Sequence, residues 1–423
     1  MPGQIYGSGT ATTPKATNGV NVRIDALREK AIRAAKRDII FEQLCDKQTM
    51  PLNYGKTLKV HKTLYILDDN NKTDQGLDGL GKKPAAGKPN ADGNLYGGSR
   101  SVVDVSAGMP LLGEGAGRAN RVGMTRITRE GTLTRMGAFL EYTDEVELFS
   151  DQAMEIQYYE KMGELAADLY DDYLQKEMLG AAGMECYGGK ATTLLTLTGK
   201  DGDASVLSYD LIRKVQISLK ANHAKKTTSI VTGSTKIGTV PVNASWFAYL
   251  GAASTVELEK LKDDFDERAY VPARMYAAAG NLAKGEVGAV HSTRFIEADR
   301  MMHYDGAGAK VVTAENKEGF SFTTLDATQA TARGQGGAGD YYDGFPVLWV
   351  TKGSFATIGL QGNKKIKFLS KKPGAPTQED PHGLMGLYSF NFFVGSIVLE
   401  PEKIARLVHV SRAGGVCPVT TTP

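Results

Sequence analysis

Gly188-Gly189-Lys190-Ala191-Thr192 is the stretch of this chain nearest to a phosphate-binding loop. Such a loop needs Gly-x4-Gly-Lys-[Ser/Thr] after a strand, so that backbone N–H groups cradle phosphates and a hydroxyl holds the metal. Here Met184 stands at the first glycine position and Ala191 at the hydroxyl position, so the expected role is a turn after a helix. Gly113-Glu114-Gly115-Ala116-Gly117 lacks the preceding strand and following helix of a dinucleotide fingerprint and reads as a turn with one acidic residue. His61, His223, His291, His303, His382 and His409 show no metal-ligand spacing, and neither His-Glu-x-x-His nor Gly-x-Ser-x-Gly occurs. Asp263-Asp264-Phe265-Asp266-Glu267 offers carboxylates but lacks the glycine and glutamate of a calcium loop, so a solvated acidic turn is expected. With 48 acidic residues a carboxylate pair can always be assembled, so their number points to no acid–base site. The expectation is a chain without catalytic residues, cofactor or metal.

Two basic clusters remain. Lys364, Lys365, Lys367, Lys371 and Lys372 form the densest, and lysine commonly guards a sheet edge against pairing. The second, with Arg28, Lys30, Arg33, Lys36 and Arg37, lies on a stretch of helical period from about Arg23 to Leu44. A solvated face is the ordinary reading of both; Arg33, Lys36, Arg37, Lys365 and Lys367 are the candidates for contact with an acidic partner or DNA. No global field assists, because 50 basic and 48 acidic residues leave a net charge of +2.

The elements that would position these residues can be read from periodicity. The 423 residues allow two or three domains, and 41% hydrophobic with 23% charged content excludes a mostly disordered chain. Forty-nine glycines imply many turns and a β-containing fold. Cys45, Cys186 and Cys417 are far apart and suggest neither zinc nor a disulfide framework, hence a reducing compartment. The polar stretch Met1 to Val20 reads as an arm rather than a secretory signal, and no apolar run is long enough to span a membrane. Strands are predicted at 56–67 and from about Val122 to Val146, flanking a Gly/Pro/Lys-rich insertion at 68–98, so that a long hairpin results. A helix is predicted over 151–179, capped by Ser150, stopped by Gly180 and Gly183, with Met154, Tyr158, Met162, Leu165, Leu169 and Tyr173 as its apolar stripe. Ser208 caps a second helix over 208–222. Short strands are predicted at 229–232, 287–290, 310–313, 320–324, 347–350, 366–369, 389–399 and 404–410, and short helices at 243–250 and 256–263.

Several segments carry a family resemblance. Lys284 to Arg300 pairs a Gly-x-x-Gly turn (Gly285, Gly288) and Glu286 with an apolar Arg294-Phe295-Ile296. Asp380-Pro381-His382-Gly383-Leu384-Met385-Gly386 precedes the strand-like Ser389 to Leu399. Met109 to Gly115, including Glu114 and Gly115, and Tyr142-Thr143-Asp144-Glu145 complete the set. Together they resemble the coliphage N-four-like major capsid proteins over roughly residues 50–412. The order of elements is similar to the HK-ninety-seven-type shell fold, an α+β architecture. The resemblance implies an N-terminal arm and helix (1–50), an extended-loop hairpin with the insertion (51–147), and a peripheral domain with a spine helix (148–207). An axial domain (208–375) and the return strands of the peripheral domain with a C-terminal tail (376–423) would follow. Glu114, Gly115, Asp144, Gly285, Glu286, Gly288, Arg294, Phe295, Asp380, Pro381 and Gly383 would then be the assembly or fold-defining residues. The insertion at 68–98 and the pattern Phe390, Phe392, Phe393 depart from the family pattern in the extended loop and near the C-terminus.

The implied function is a virion shell protein, assembled in a bacterial host's cytoplasm from hexamers and pentamers around double-stranded DNA. A separate scaffolding protein, a portal and a possible decoration protein would be its partners, and no membrane. An encapsulin-like compartment and an α/β enzyme are the alternatives.

Overall fold

The computed structural model describes residues 39–51, 53, 55–63, 102–107, 114, 126–149, 154–231, 238–277, 282–361, 366–374, 376 and 380–412. The first elements are β1 (Asp46–Met50), β2 (Thr57–Thr63), α1 (Val102–Ala107), β3 (Arg126–Thr132), β4 (Thr134–Thr143), α2 (Asp144–Phe149) and α3 (Met154–Gly180). Then come β5 (Met184–Tyr187), α4 (Tyr209–Ala221), β6 (Trp246–Leu250), α5 (Ala252–Glu259), β7 (Tyr270–Pro272), β8 (Glu286–Val290) and β9 (Thr293–Glu297). The last are β10 (Phe322–Leu325), α6 (Ala327–Ala332), β11 (Gly339–Tyr342), β12 (Phe345–Val350), β13 (Phe355–Leu360), β14 (Ile366–Lys371), β15 (Met385–Val398) and β16 (Ile404–His409).

Two larger sheets share one helix. The first has the strand order β5-β16-β12-β6-β9-β8-β7, and the second runs β1-β13-β15-β14 with β4 also on β15. On α3, Met162, Ala166, Tyr170, Leu174 and Met178 are buried against Phe247, Tyr249, Leu348 and Val350 of the first sheet and Phe390, Phe392 and Val394 of the second. Full burial of a side chain such as Leu174 contributes roughly 1.5–3 kcal/mol, so this stripe is what holds the two sheets together. The stripe differs from the predicted one: Leu165 is 42% exposed, and the strict four-residue track through Ala166 is buried instead. Ala166 is small enough to let the β15 aromatics approach, and Tyr170 meets Phe392 edge-on at 6.1 Å. With 27 residues α3 spans about 40 Å. It stops at Gly180 as expected, and Gly183 is required because a Cβ there would lie 2.6 Å from the Pro401 carbonyl oxygen. Ser150 lies outside the described residues.

Residues 243–250, predicted helical, instead contain β6, all five residues of which are buried. Its sheet is covered on both faces, by α3 and by α4 with Ile212, Val215 and Leu219. A strand buried on both faces carries no alternation, so its apolar run mimics a helix. The predicted helix 256–263 begins and ends about four residues earlier, as α5. Predicted strands at 229–232 and 310–313 reduce to single bridges, Val231 to Val242 and Lys310 to Tyr341. The helix 208–222 is found as α4, where Ser208 Oγ accepts the Leu211 N–H at 3.3 Å.

The predicted second hairpin leg divides. β2 pairs antiparallel with β3 alone, while β4, beginning one residue after Leu133, pairs with β15 from Thr134 to Thr143. Leu133 is buried and Gly131 presses on Ser396 and Ile397, so the body captures the leg there. Of the basic helix predicted over 23–44, only its end is described, and Phe41–Leu44 forms a 3-10 turn. Arg33, Lys36 and Arg37 lie outside the described residues.

Candidate functional site

The β8–β9 segment is organised around one buried charge pair. Arg294 on β9 and Glu286 on β8 are almost sealed from solvent, with Arg294 Nε 3.8 Å from Glu286 Oε1. The guanidinium stacks 5.5 Å from the Tyr276 ring centroid, and Glu286 Oε2 accepts the Ala283 N–H at 3.0 Å. Burial pushes the Glu286 carboxyl above its ordinary range, against the pull of the Ala283 N–H and Arg294. Gly285 sits at φ +75, with Glu297 O 2.8 Å from where a Cβ would stand. Gly288 lets the Tyr270 ring lie flat on the strand, since a Cβ would come within 2.5 Å of it. The Tyr270 hydroxyl donates to Val287 O at 2.8 Å. Phe295 is fully buried and meets Trp349 edge-on at 6.3 Å. Five of the residues singled out in the sequence thus converge on one hairpin, where they act in packing rather than in chemistry.

A second convergence joins two segments far apart in sequence. Asp380 accepts the N–H groups of Leu384 at 3.1 Å and Met385 at 2.8 Å, which holds its carboxyl below the usual range. Pro381 begins the turn and Gly383 closes it at φ +67. The turn delivers the chain into β15, whose Met385 and Gly386 pair with Thr143 and Tyr142 of β4. Asp144 donates its N–H to Leu384 O at 2.9 Å. A Cβ at Gly386 would strike the Tyr142 ring at 2.2 Å, so glycine is required where that ring crosses the strand. Glu114 is exposed, and Gly115 lies outside the described residues.

The hairpin β2–β3 is tied to the body at its far strand end. Lys62 Nζ lies 2.8 Å from Glu400 and 3.0 Å from Glu402, all three side chains largely buried. Burial raises the Glu400 carboxyl, but the hydrogen bonds from Lys403 and Lys62 outweigh it and the net shift is downward. Lys367 is exposed on β14, the edge of its sheet, as expected of an edge-guarding lysine. Lys365 lies outside the described residues.

The segments tested for chemistry have structural roles. Gly188 fits against the Ser205 carbonyl, Gly189 takes φ +55, and Lys190 pairs with Asp203 at 2.6 Å. Asp263 Oδ1 accepts the N–H groups of Phe265 and Glu267, both at 2.9 Å, which closes the acidic turn on itself. Sequence reading missed a Ser–His contact: His409 Nε2 lies 2.9 Å from Ser254 Oγ and Nδ1 lies 2.9 Å from Val410 O. A neutral imidazole with its proton on Nδ1 satisfies both, and burial lowers its pKa accordingly. Both residues are sealed in the core, so no substrate reaches the serine. Burial also pushes the Cys45 and Cys186 thiols up, away from nucleophilic thiolate. Among the described residues no helix is long and apolar enough to cross a membrane.

No family model matches the sequence. The chain is 34% identical, over 391 residues and 91% of both chains, to a major capsid protein of Pseudomonas phage KPP21. It belongs to the phage major capsid proteins. The solved capsid of Ralstonia phage GP4 shares the fold, with a TM-score of 0.56 over 99% of this chain and 100% of that one at 11% identity. The α+β shell architecture expected from the sequence, of the HK-ninety-seven type, agrees with that fold. A capsid protein's work is structural, and its two motif clusters are accordingly backbone turns and packed strands rather than a reaction centre.

Proposed function

We propose that this major capsid protein forms hexamers and pentamers of an icosahedral head enclosing double-stranded DNA, assembled in the host cytoplasm without catalysis of its own. Within residues 51–147 the part up to β3 acts as the extended loop over a neighbouring copy, while β4 stays in the body on β15; 1–50 act as the arm, 208–375 as the axial domain, and 148–207 with 376–423 as the peripheral domain. The observation that carries this reading is the two-stranded β2–β3 ribbon, which among the described residues pairs with no other strand and whose alternate residues Lys59, His61, Thr63, Arg126, Thr128, Glu130 and Thr132 are exposed on one face. Leu58 and Val60 on one face pack against the body around Ile358 and Ile397, and the polar outer face, with Lys59, His61, Arg126 and Glu130, is the surface assigned to a neighbouring copy. The motif residues Asp144, Gly285, Glu286, Gly288, Arg294, Phe295, Asp380, Pro381 and Gly383 serve by fixing the two turns that shape the protomer. A separate scaffolding protein and a portal complete the assembly, with a decoration protein as an optional addition.

Negative-stain microscopy and sedimentation of the protein, alone and co-expressed with its neighbouring structural genes, test the proposal. Shells, tubes or capsomer rings are expected. A species that stays monomeric near 45.4 kDa in every co-expression would overturn it.

A further inference from the structure

The turn between β8 and β9 faces a group of cations with no carboxylate among them. Arg213 of α4 places Nη1 2.8 Å from His291 Nδ1, and its own position is fixed by Gln216 Oε1 at 3.1 Å. Gln216 is buried and donates to Val290 O at 3.2 Å and Thr293 Oγ1 at 3.0 Å, so helix and turn are locked together. His291 takes φ +52, a left-handed conformation that holds the ring at the turn's tip. Ser292 Oγ lies 2.9 Å from His291 Nδ1 and 3.4 Å from Lys226 Nζ. Lys226 in turn lies 5.4 Å from the Trp246 ring centroid. Lys220 is exposed on the same helix about two turns after Arg213, with the exposed Ile217 between them. Among the described residues none of Arg213, Lys220 and Lys226 has a carboxylate within ion-pair distance. The nearest acidic residue along the helix is Asp210, one turn before Arg213.

We propose that Arg213, Lys220, Lys226, His291 and Ser292 form a binding site for a phosphate-class oxyanion, either free or as the phosphodiester of nucleic acid. Donors arriving from a helix, a tight turn and the loop after the helix suit an anion with several acceptor oxygens, and the arginine fork suits it best. Like charges packed this closely repel. Burial and then Arg213, Lys220 and Lys226 lower the His291 pKa, and burial and Lys220 lower that of Lys226. A bound dianion would relieve that repulsion and favour the protonated imidazole, the proton coming from solvent. The site stands on this geometry independently of the assembly reading: shells in the microscope with no phosphate response would remove this site alone.

The test uses the full-length protein, with inorganic phosphate followed by the His291 ring resonance and a fluorescein-labelled duplex oligonucleotide followed by anisotropy. Phosphate is expected to raise the His291 titration midpoint. The paired substitution Arg213→Gln with Lys226→Gln should weaken phosphate at least tenfold, while Lys262→Gln at a remote turn leaves it unchanged. Should that pair fail to fold, Lys220→Gln alone should weaken phosphate severalfold. If duplex DNA is the source, its affinity falls in the same variants, and the salt slope of log K drops by about one for each cation removed. Phosphate binding without DNA binding assigns the site to the free anion. No phosphate response, equal binding by the variants, or preference for polyglutamate over phosphate would overturn the proposal.

Discussion

Arg294→Ala should leave Glu286 as a buried carboxylate without its cation. The two side chains are 2% and 0% exposed, so solvent cannot replace the lost partner. Breaking a buried pair from one side costs about 3–5 kcal/mol. The 3.8 Å separation is too long for a hydrogen bond, which places the charge term near the lower bound, about 3 kcal/mol. Loss of the guanidinium over Tyr276 adds about 0.5–1 kcal/mol. Because burial already raises the Glu286 carboxyl, it can take up a proton in the variant, and the loss should shrink as pH falls. Replacing both residues, Glu286→Leu with Arg294→Met, removes both charges and should recover all but about 1 kcal/mol. Urea unfolding followed by tryptophan fluorescence reads this directly, since both tryptophans, Trp246 and Trp349, lie in the same sheet. A single-variant loss under about 1 kcal/mol, or a double variant no more stable than Arg294→Ala, would refute the buried-pair argument.

Three further outcomes are expected. The Glu400 carboxyl is lowered in the folded state, so the Lys62 clamp stabilises above the ordinary glutamate range and is lost as pH falls through the folded value; the protection factors of the β2 and β3 amides, corrected for intrinsic exchange, should therefore fall in acid, and Lys62→Met should give that lower protection at neutral pH. Asp171 is pushed up to about 6, chiefly by burial, from an ordinary 3.8, so the folded chain binds the proton more tightly and stability falls as pH rises through that interval. Asp171→Asn, which keeps an oxygen for the Phe41 N–H at 3.1 Å, should flatten that part of the unfolding-midpoint profile; an unchanged profile would rule out the assignment. Gly288→Ala forces the Tyr270 ring off the strand and should cost about 1–3 kcal/mol in thermal unfolding, with under about 0.5 kcal/mol showing the ring to be free to move.

Local signals were legible where local physics decides. The Ser208 cap, the Gly180 stop and the long apolar track of α3 each depend on residues within a turn or two of one another. The alternating β2 and the β15 run were equally plain, and the resemblance of the Asp380 and Lys284 segments identified the family. What failed did so for a stated reason. β6 reads as a helix because burial on both faces erases alternation, and the α3 stripe is displaced because the approach of Phe390 and Phe392 selects Ala166 over Leu165.

The resemblance of a few short motifs pointed to the shell-protein family and its α+β fold, while caps, periodicity and turn glycines, which act over a few residues, marked the two principal helices. Which distant residues meet is set by the assembled fold. Glu286 and Arg294 are neighbours through the β8–β9 pairing, Lys62 reaches Glu400 across the hairpin, and Tyr142 lies over Gly386. Arg213 and His291 are separated by 78 positions and carry no shared motif, so their convergence into a cationic cluster is invisible in the sequence. Strand order and helix docking set these encounters, and both are settled by burial of apolar surface over the whole chain rather than by the local preferences of any segment.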